Sequence, residues 1–287
     1  MRNKSGVSAP VRAALEASRY EVLPTAKIEA AVVDAVPRDI TVTVTASPAK
    51  GIDATLDMTE RLVGHGYKVV PHLAARMISG CGELSEIVNR LTQLGVTNVF
   101  CPAGDADPPA GEYVGALEML EQLSAMGRPF AEVGITGYPE SHPTIEDDVT
   151  IQSMWDKRAH ATYVVSNLCF DPKAIDGWLR RMRRRGVELP VLIGLPGPVE
   201  RAKLLAMATK IGVGQSVRFV KSHATRLARI AAPGGFDPEK FLERSASFLS
   251  DPTAHVAGLH LYTFNQVAKT EAWRQQLLRS AEAEEPH

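Results

Sequence analysis

The chain has 287 residues, 45% of them hydrophobic and 23% charged, which is globular composition with enough length for a large core. Its formal net charge is −1, so no overall field favours nucleic acid or an anionic membrane, and neither is expected as a partner. Three cysteines, Cys81, Cys101 and Cys169, with no C-x-x-C pair, argue against a disulfide framework or structural zinc and suit a cytoplasmic protein with reduced thiols.

Taken in chain order, residues 1–18 read as an N-terminal helical extension without a signal-peptide apolar core. Strand-like runs rich in Val, Ile, Thr and aromatics follow at 19–24 ("RYEVLP"), 40–46 ("ITVTVTA") and 67–73 ("YKVVPHL"). Between the last two, "ATLDMTERLVGHG" (54–66) has helical periodicity and closes on a glycine suited to a left-handed C-cap. The same pattern recurs in "ELSEIVNRLTQLG" (83–95), strand 97–103 ("TNVFCPA"), "GALEMLEQLSAMG" (115–127) and strand 130–138 ("FAEVGITGY"). Strand 162–170 ("TYVVSNLCF") follows. "DPKAIDGWLRRMRRRG" (171–186) begins with an Asp N-cap and Pro at the first helical position, and its arginines suit a solvated helix face. Strand 189–197 ("LPVLIGLPG") and helix 198–212 come next, then a long helical stretch over 214–252, strand 257–265 ("AGLHLYTFN") and a frayed acidic tail at 280–287.

Eight strands that are apolar on both faces, alternating with helices, predict an α/β fold, a single (βα)8 TIM barrel over residues 1–287, with an extra helical segment before the last strand. In such a barrel the chemistry lies at the C-terminal strand ends, and polar residues gather there. Thr45 follows the second strand, His72 ends the third, Gly104 and Asp105 follow the fourth in "NVFCPAGDADPP", and Tyr138, Glu140 and His142 stand on the proline-stiffened "GYPESHP". Asn167 closes the sixth strand, and Tyr262 and Asn265 the eighth.

Glu21 lies inside the first strand among apolar neighbours, and an apolar environment favours the protonated carboxyl that a general acid needs. Asp105, on a Gly turn with backbone amides nearby, suits an ionised group that stabilises a cation. Two carboxylates in contrasting environments form an acid and charge-stabiliser pair, without naming a reaction. There is no H-x-H or H-E-x-x-H metal pattern, phosphate loop or G-x-S-x-G elbow, and "IGVGQS" (211–216) lacks the dinucleotide fingerprint, so no metal is expected.

The ordered set of motifs resembles the methylenetetrahydrofolate reductase family over nearly the whole chain. "YEVLP" carries Glu21 where the family has its strand-one glutamate; Pro71-His72-Leu73 matches Pro-His-Leu; Gly104-Asp105 matches the end of an Arg-Gly-Asp turn. Tyr-Pro-Glu-x-His-Pro is intact from Tyr138 to Pro143, as is His-x-Tyr-Thr-x-Asn at His260, Tyr262, Thr263 and Asn265, and Asn167 replaces a strand-six glutamine. The resemblance implies reduction of 5,10-methylenetetrahydrofolate to the 5-methyl compound, with Glu21 as general acid and Asp105 as anionic partner of a 5-iminium cation. It further implies folate contacts at Asn167, Tyr262 and Asn265 and cofactor contacts at Thr45, His72, Gly104, Tyr138 and His142.

The departures bear on FAD. The arginine of Arg-Gly-Asp is Ala103, the loop after strand two is "TASPAKG", Lys157 only approximates a family lysine, and Gln266 stands where an arginine is common. Loss of a bidentate phosphate partner is not a neutral change. These positions imply weak or absent flavin binding, with NADH or NADPH passing hydride directly to folate. An ordinary FAD-dependent reductase and a non-catalytic folate-binding barrel remain the alternatives.

Overall fold

The computed structural model describes residues 7–140, 145–199 and 236–282. Strands β1 (Arg19–Val22), β2 (Thr41–Val44), β3 (Val69–Pro71), β4 (Asn98–Phe100), β5 (Glu132–Gly137), β6 (Tyr163–Ser166), β7 (Val191–Pro196) and β8 (Val256–Tyr262) pair in parallel in the order β3-β2-β1-β8-β7-β6-β5-β4. The two ends of that row meet: His72 bridges Phe100 in parallel, and the Leu73 N–H donates to the Phe100 carbonyl at 2.8 Å. The sheet therefore closes into an eight-stranded barrel. All eight expected strands form, each ending one to four residues before its apolar run does, where the chain turns into the loops of the mouth.

Nine helices appear among the described residues. They are α1 (Ala9–Glu16), α2 (Ile28–Ala35), α3 (Asp53–Gly64), α4 (Cys81–Gln93), α5 (Ala116–Ala125), α6 (Asp147–Lys157), α7 (Pro172–Arg184), α8 (Pro238–Leu249) and α9 (Val267–Glu282). The glycines read as helix stops, Gly66, Gly95, Gly127 and Gly186, all have positive φ, and Asp171 caps α7 by accepting from the Lys173 N–H at 3.0 Å. The helix expected over 198–212 and most of the extra segment lie outside the described residues; α8 is the described part of that stretch. Of the expected frayed tail, Ser280–Glu282 belongs to α9, which continues past the position where fraying was expected.

The side-chain period of two sorts every strand. Tyr20, Val22, Val42, Val44, Val164, Ile193 and Leu261 face the helices and form the main core. Their alternates fill the lumen in layers. At the N-terminal end Arg19 reaches Glu132 at 3.4 Å and lies 4.7 Å above the Tyr163 ring, Asn98 donates to Glu132, and Tyr163 Oη donates to Asn98 Oδ1 at 2.8 Å. Val70, Phe100, Val165 and Leu192 form an apolar middle layer, separate from the main core. Above it, at the C-terminal mouth, the lumen turns polar. Gly194 makes room there: a Cβ would come within 2.8 Å of the Tyr262 ring and 2.3 Å of the Ser166 carbonyl oxygen.

α9 is fastened to the barrel by a buried polar cluster. Tyr20 Oη donates to Glu271, Arg274 Nε donates to Tyr20 Oη at 3.1 Å and to Glu271 at 3.0 Å, and Arg274 also reaches the Leu15 carbonyl at the end of α1. Among the described residues no helix is long and apolar enough to cross a membrane. The three cysteines are free, Cys101 and Cys169 buried and Cys81 exposed.

Candidate active site

Glu21 does not sit in the apolar surroundings its sequence neighbours suggest. Tyr20 and Val22 point to the helices, so Glu21 points into the lumen, where its carboxylate meets two imidazoles. Nε2 of His260 lies 3.0 Å from Glu21 Oε2, and Nε2 of His72 lies 3.9 Å from the same oxygen. The Glu21 backbone is held as well: Thr263 Oγ1 donates to its carbonyl at 2.6 Å.

His72 is packed edge-on against Phe100, with ring centroids 4.7 Å apart. Burial pulls its pKa down from 6.5 to about 4, with the Glu21 charge opposing and His260 adding to the shift, so the ring is neutral near pH 7. Tyr262 stacks edge-on with His260 at 4.9 Å, and its Oη donates to the Ser166 carbonyl at 3.2 Å. Burial, followed by the Glu21 charge, pushes its phenol well above the ordinary range. Four of the ten buried side-chain polar atoms without a hydrogen-bond partner among the described residues lie here: Thr43 Oγ1, Thr45 Oγ1, His72 Nε2 and His260 Nδ1. Buried polar groups are normally satisfied, so this concentration at the mouth marks a surface built for a polar ligand or solvent.

Asp105 is exposed on the loop after β4, next to Gly104, whose φ is +85. The expected backbone amides do not cap its carboxylate: among the described residues it has no hydrogen bond or ion pair. Its charge is felt by Tyr138, whose phenol burial raises, Asp105 raises further and a hydrogen bond with Thr136 partly restores. Asp105, Thr136 and Tyr138 thus converge on the β4–β5 side of the mouth, opposite the Glu21 cluster on β1 and β8.

Other expected contacts are tied into the scaffold. Asn265 Oδ1 accepts from the Leu23 N–H at 2.8 Å, while Nδ2 donates to the Leu23 carbonyl and to Thr25 Oγ1, each at 3.1 Å. That amide clamps the exit of β1 rather than facing a ligand. Glu140 Oε1 accepts from the Phe170 and Asp171 N–H groups at 2.5 and 2.7 Å, fastening the β5 loop to the β6 loop. Asn167 Oδ1 accepts from the Leu168 N–H at 2.8 Å, and its NH2 has no acceptor among the described residues. Thr45 N–H donates to the Val22 carbonyl at 3.0 Å, tying β2 to β1 at the rim. His142 lies outside the described residues. Among the described residues no cluster of three or more His, Cys, Asp or Glu is arranged for a metal. Sequence reasoning missed His260 as a partner of Glu21; the signal available was its place two residues before Tyr262 on the lumen-facing side of the same strand.

A parallel (βα)8 barrel with an acid–imidazole cluster in its C-terminal mouth is an enzyme scaffold of the α/β-barrel class. Within that class, the family model described as methylenetetrahydrofolate reductase matches residues 25–277, and the chain belongs to that family. Glu21 precedes the matched span, so its part in the site rests on geometry and on the strand-one motif. Among solved structures, a putative lyase/mutase from Burkholderia cenocepacia J2315 is 15% identical with a TM-score of 0.50, covering 97% of this chain and 94% of that one. At that identity the likeness reflects the barrel alone. A 2,3-dimethylmalate lyase is 13% identical with a TM-score of 0.45, over 84% of this chain and 95% of that one. The dihydropteroate synthase of Thermus thermophilus is 13% identical with a TM-score of 0.43, over 91% and 92%.

Proposed function

We propose that this member of the family reduces 5,10-methylenetetrahydrofolate to 5-methyltetrahydrofolate with hydride taken directly from NADH or NADPH, without a tightly bound flavin. The observation that carries the reading is the lumen cluster of Glu21, His260 and His72 at the same C-terminal end of the barrel as the exposed Asp105 on the loop after β4.

Glu21 protonates N10 of the substrate, the bond from N10 to the one-carbon bridge breaks, and the N5 lone pair forms the 5-iminium cation. His260 holds Oε2, which leaves Oε1 to face the substrate. Asp105 favours the cation by its negative charge. Hydride from C4 of the dihydronicotinamide then adds to the bridge carbon, giving the methyl group and the oxidised nucleotide. The Asn167 NH2 and Tyr262 are assigned to the pterin, and Thr45, His72, Gly104 and Tyr138 to the nicotinamide side.

FAD, which the family ordinarily uses, carries a pyrophosphate that needs partners on the Asp105 loop. Residues 101–115 contain no lysine or arginine. The guanidinium that reaches this loop from outside, that of Arg76, is already donating to Ala106, Val114 and Asp107. A pyrophosphate is held best by a guanidinium or ammonium, and this loop offers it none that is not already engaged, which supports weak flavin binding.

The reading is tested by following NAD(P)H oxidation and 5-methyltetrahydrofolate formation from 5,10-methylenetetrahydrofolate. Glu21→Gln is expected to lower kcat by about a hundredfold or more, the contribution of a positioned general acid. Native product formation by Glu21→Gln would remove the acid from the mechanism.

A further inference from the structure

Arg76 stands on the single 3-10 turn Ala75–Met77 after β3. Its backbone N–H donates to the Ala103 carbonyl at 2.8 Å, and its Nε donates to the Ala106 carbonyl at 2.7 Å. Those carbonyls are the two shoulders of the turn whose crown is Gly104-Asp105, so one residue grips both. The turn also rests on Ala74, because a Cβ on Gly104 would come within 2.8 Å of the Ala74 Cβ. Further along the loop, the Arg76 carbonyl accepts from the Ala110 N–H at 2.9 Å, and a guanidinium nitrogen donates to the Val114 carbonyl at 3.3 Å.

The guanidinium also discriminates between two neighbouring carboxylates. It meets Asp107 Oδ1 at 3.3 Å, whereas Asp105 makes no ion pair among the described residues. One negative charge on the loop is answered from within, and the other is left exposed beside Tyr138.

We propose that Arg76 is the positioning residue of Asp105: it fixes the crown of the loop and, by pairing with Asp107, keeps the Asp105 carboxylate unpaired for a cationic reaction intermediate. The proposal rests on the role of Asp105 given above. A guanidinium bonded at three points inside a loop is not replaceable by an ammonium, which has no planar fork.

The test is a double-mutant cycle of Arg76→Met with Asp105→Asn, reading kcat, KM for NAD(P)H and thermal midpoint. Because misplacing a reacting group by an ångström costs up to about a hundredfold, Arg76→Met is expected to lower kcat about tenfold or more, with a smaller change in KM. In the Asp105→Asn background the same substitution is expected to lower kcat by less than about twofold, since coupled residues are non-additive. Equal losses in both backgrounds, or native kcat in Arg76→Met, overturn the proposal. If Arg76→Met does not fold, Arg76→Lys, which retains charge near Asp107, carries the cycle with the same expectations at smaller size. Native kcat in Asp105→Asn alone removes the role of Asp105 and the proposal with it, a pattern distinct from additive losses.

Discussion

Nε2 of His260 lies 3.0 Å from Oε2 of Glu21, joining side chains that are 239 residues apart in the chain and on adjacent strands of the barrel. Nδ1 of the same ring is buried without a partner. An unmet acceptor lone pair is tolerated better than an unmet N–H, so the hydrogen belongs on Nε2, where it is donated to Glu21.

His260→Phe keeps the packing against Tyr262 and deletes that hydrogen bond. A hydrogen bond to a charged or ionisable partner contributes about 1.5–3 kcal/mol, so kcat is expected to fall about ten- to a hundredfold with KM for folate changed less. Steady-state kinetics measure the split. Native kcat in this variant would mean that Glu21 is oriented by other contacts.

His72 predicts a pH dependence of stability. In the folded protein it is faced by Glu21 and His260, and burial depresses its pKa from 6.5 to about 4. Between those values the unfolded chain takes up a proton that the native state does not, so stability is full above pH 6.5 and falls as pH drops toward 4. The shift corresponds to about 3 kcal/mol. His72→Gln does not titrate, and denaturant unfolding should show wild type losing stability relative to it by about that amount across the window. Parallel curves would contradict the burial of a neutral ring.

Arg274 predicts a variant that loses stability and keeps function. It is buried against Glu271 and Tyr20, on the helix side of β1 and outside the lumen. Removing one partner of a buried pair costs about 3–5 kcal/mol, so Arg274→Met should lower the thermal midpoint clearly. At temperatures where the variant is folded, kcat should match wild type. A loss of kcat without a loss of stability would connect α9 to the chemistry.

The barrel was legible because its strands are apolar on both faces, and such runs stand out from helical periodicity. Gly66, Gly95, Gly127 and Gly186 then marked the helix ends, each with positive φ as their residue type implies. Helix α2 carries a weaker signal: it has eight residues, with Lys27 at its N-cap making no side-chain capping hydrogen bond. In the site, Glu21 and His72 were readable as polar residues inside apolar strands. The Glu21–His260 contact was not, since nothing local says that β1 and β8 are neighbours until the barrel closes. Asn265 and Glu140 show the opposite limit. A conspicuous polar residue at a strand end reads as a ligand contact, yet here their oxygens hold the backbones of Leu23, Phe170 and Asp171. Arg76 belongs to no motif, and its importance arises only from the packing of two loops.

The central claim is direct hydride transfer from a nicotinamide nucleotide to the folate in this mouth. Its most direct measurement is an anaerobic assay of NAD(P)H oxidation by the purified protein with 5,10-methylenetetrahydrofolate and no added flavin, with the visible spectrum of the same preparation recorded. Turnover to 5-methyltetrahydrofolate by protein lacking a flavin band is the predicted result. A stoichiometric flavin band, or turnover that appears only when FAD is added, would contradict it.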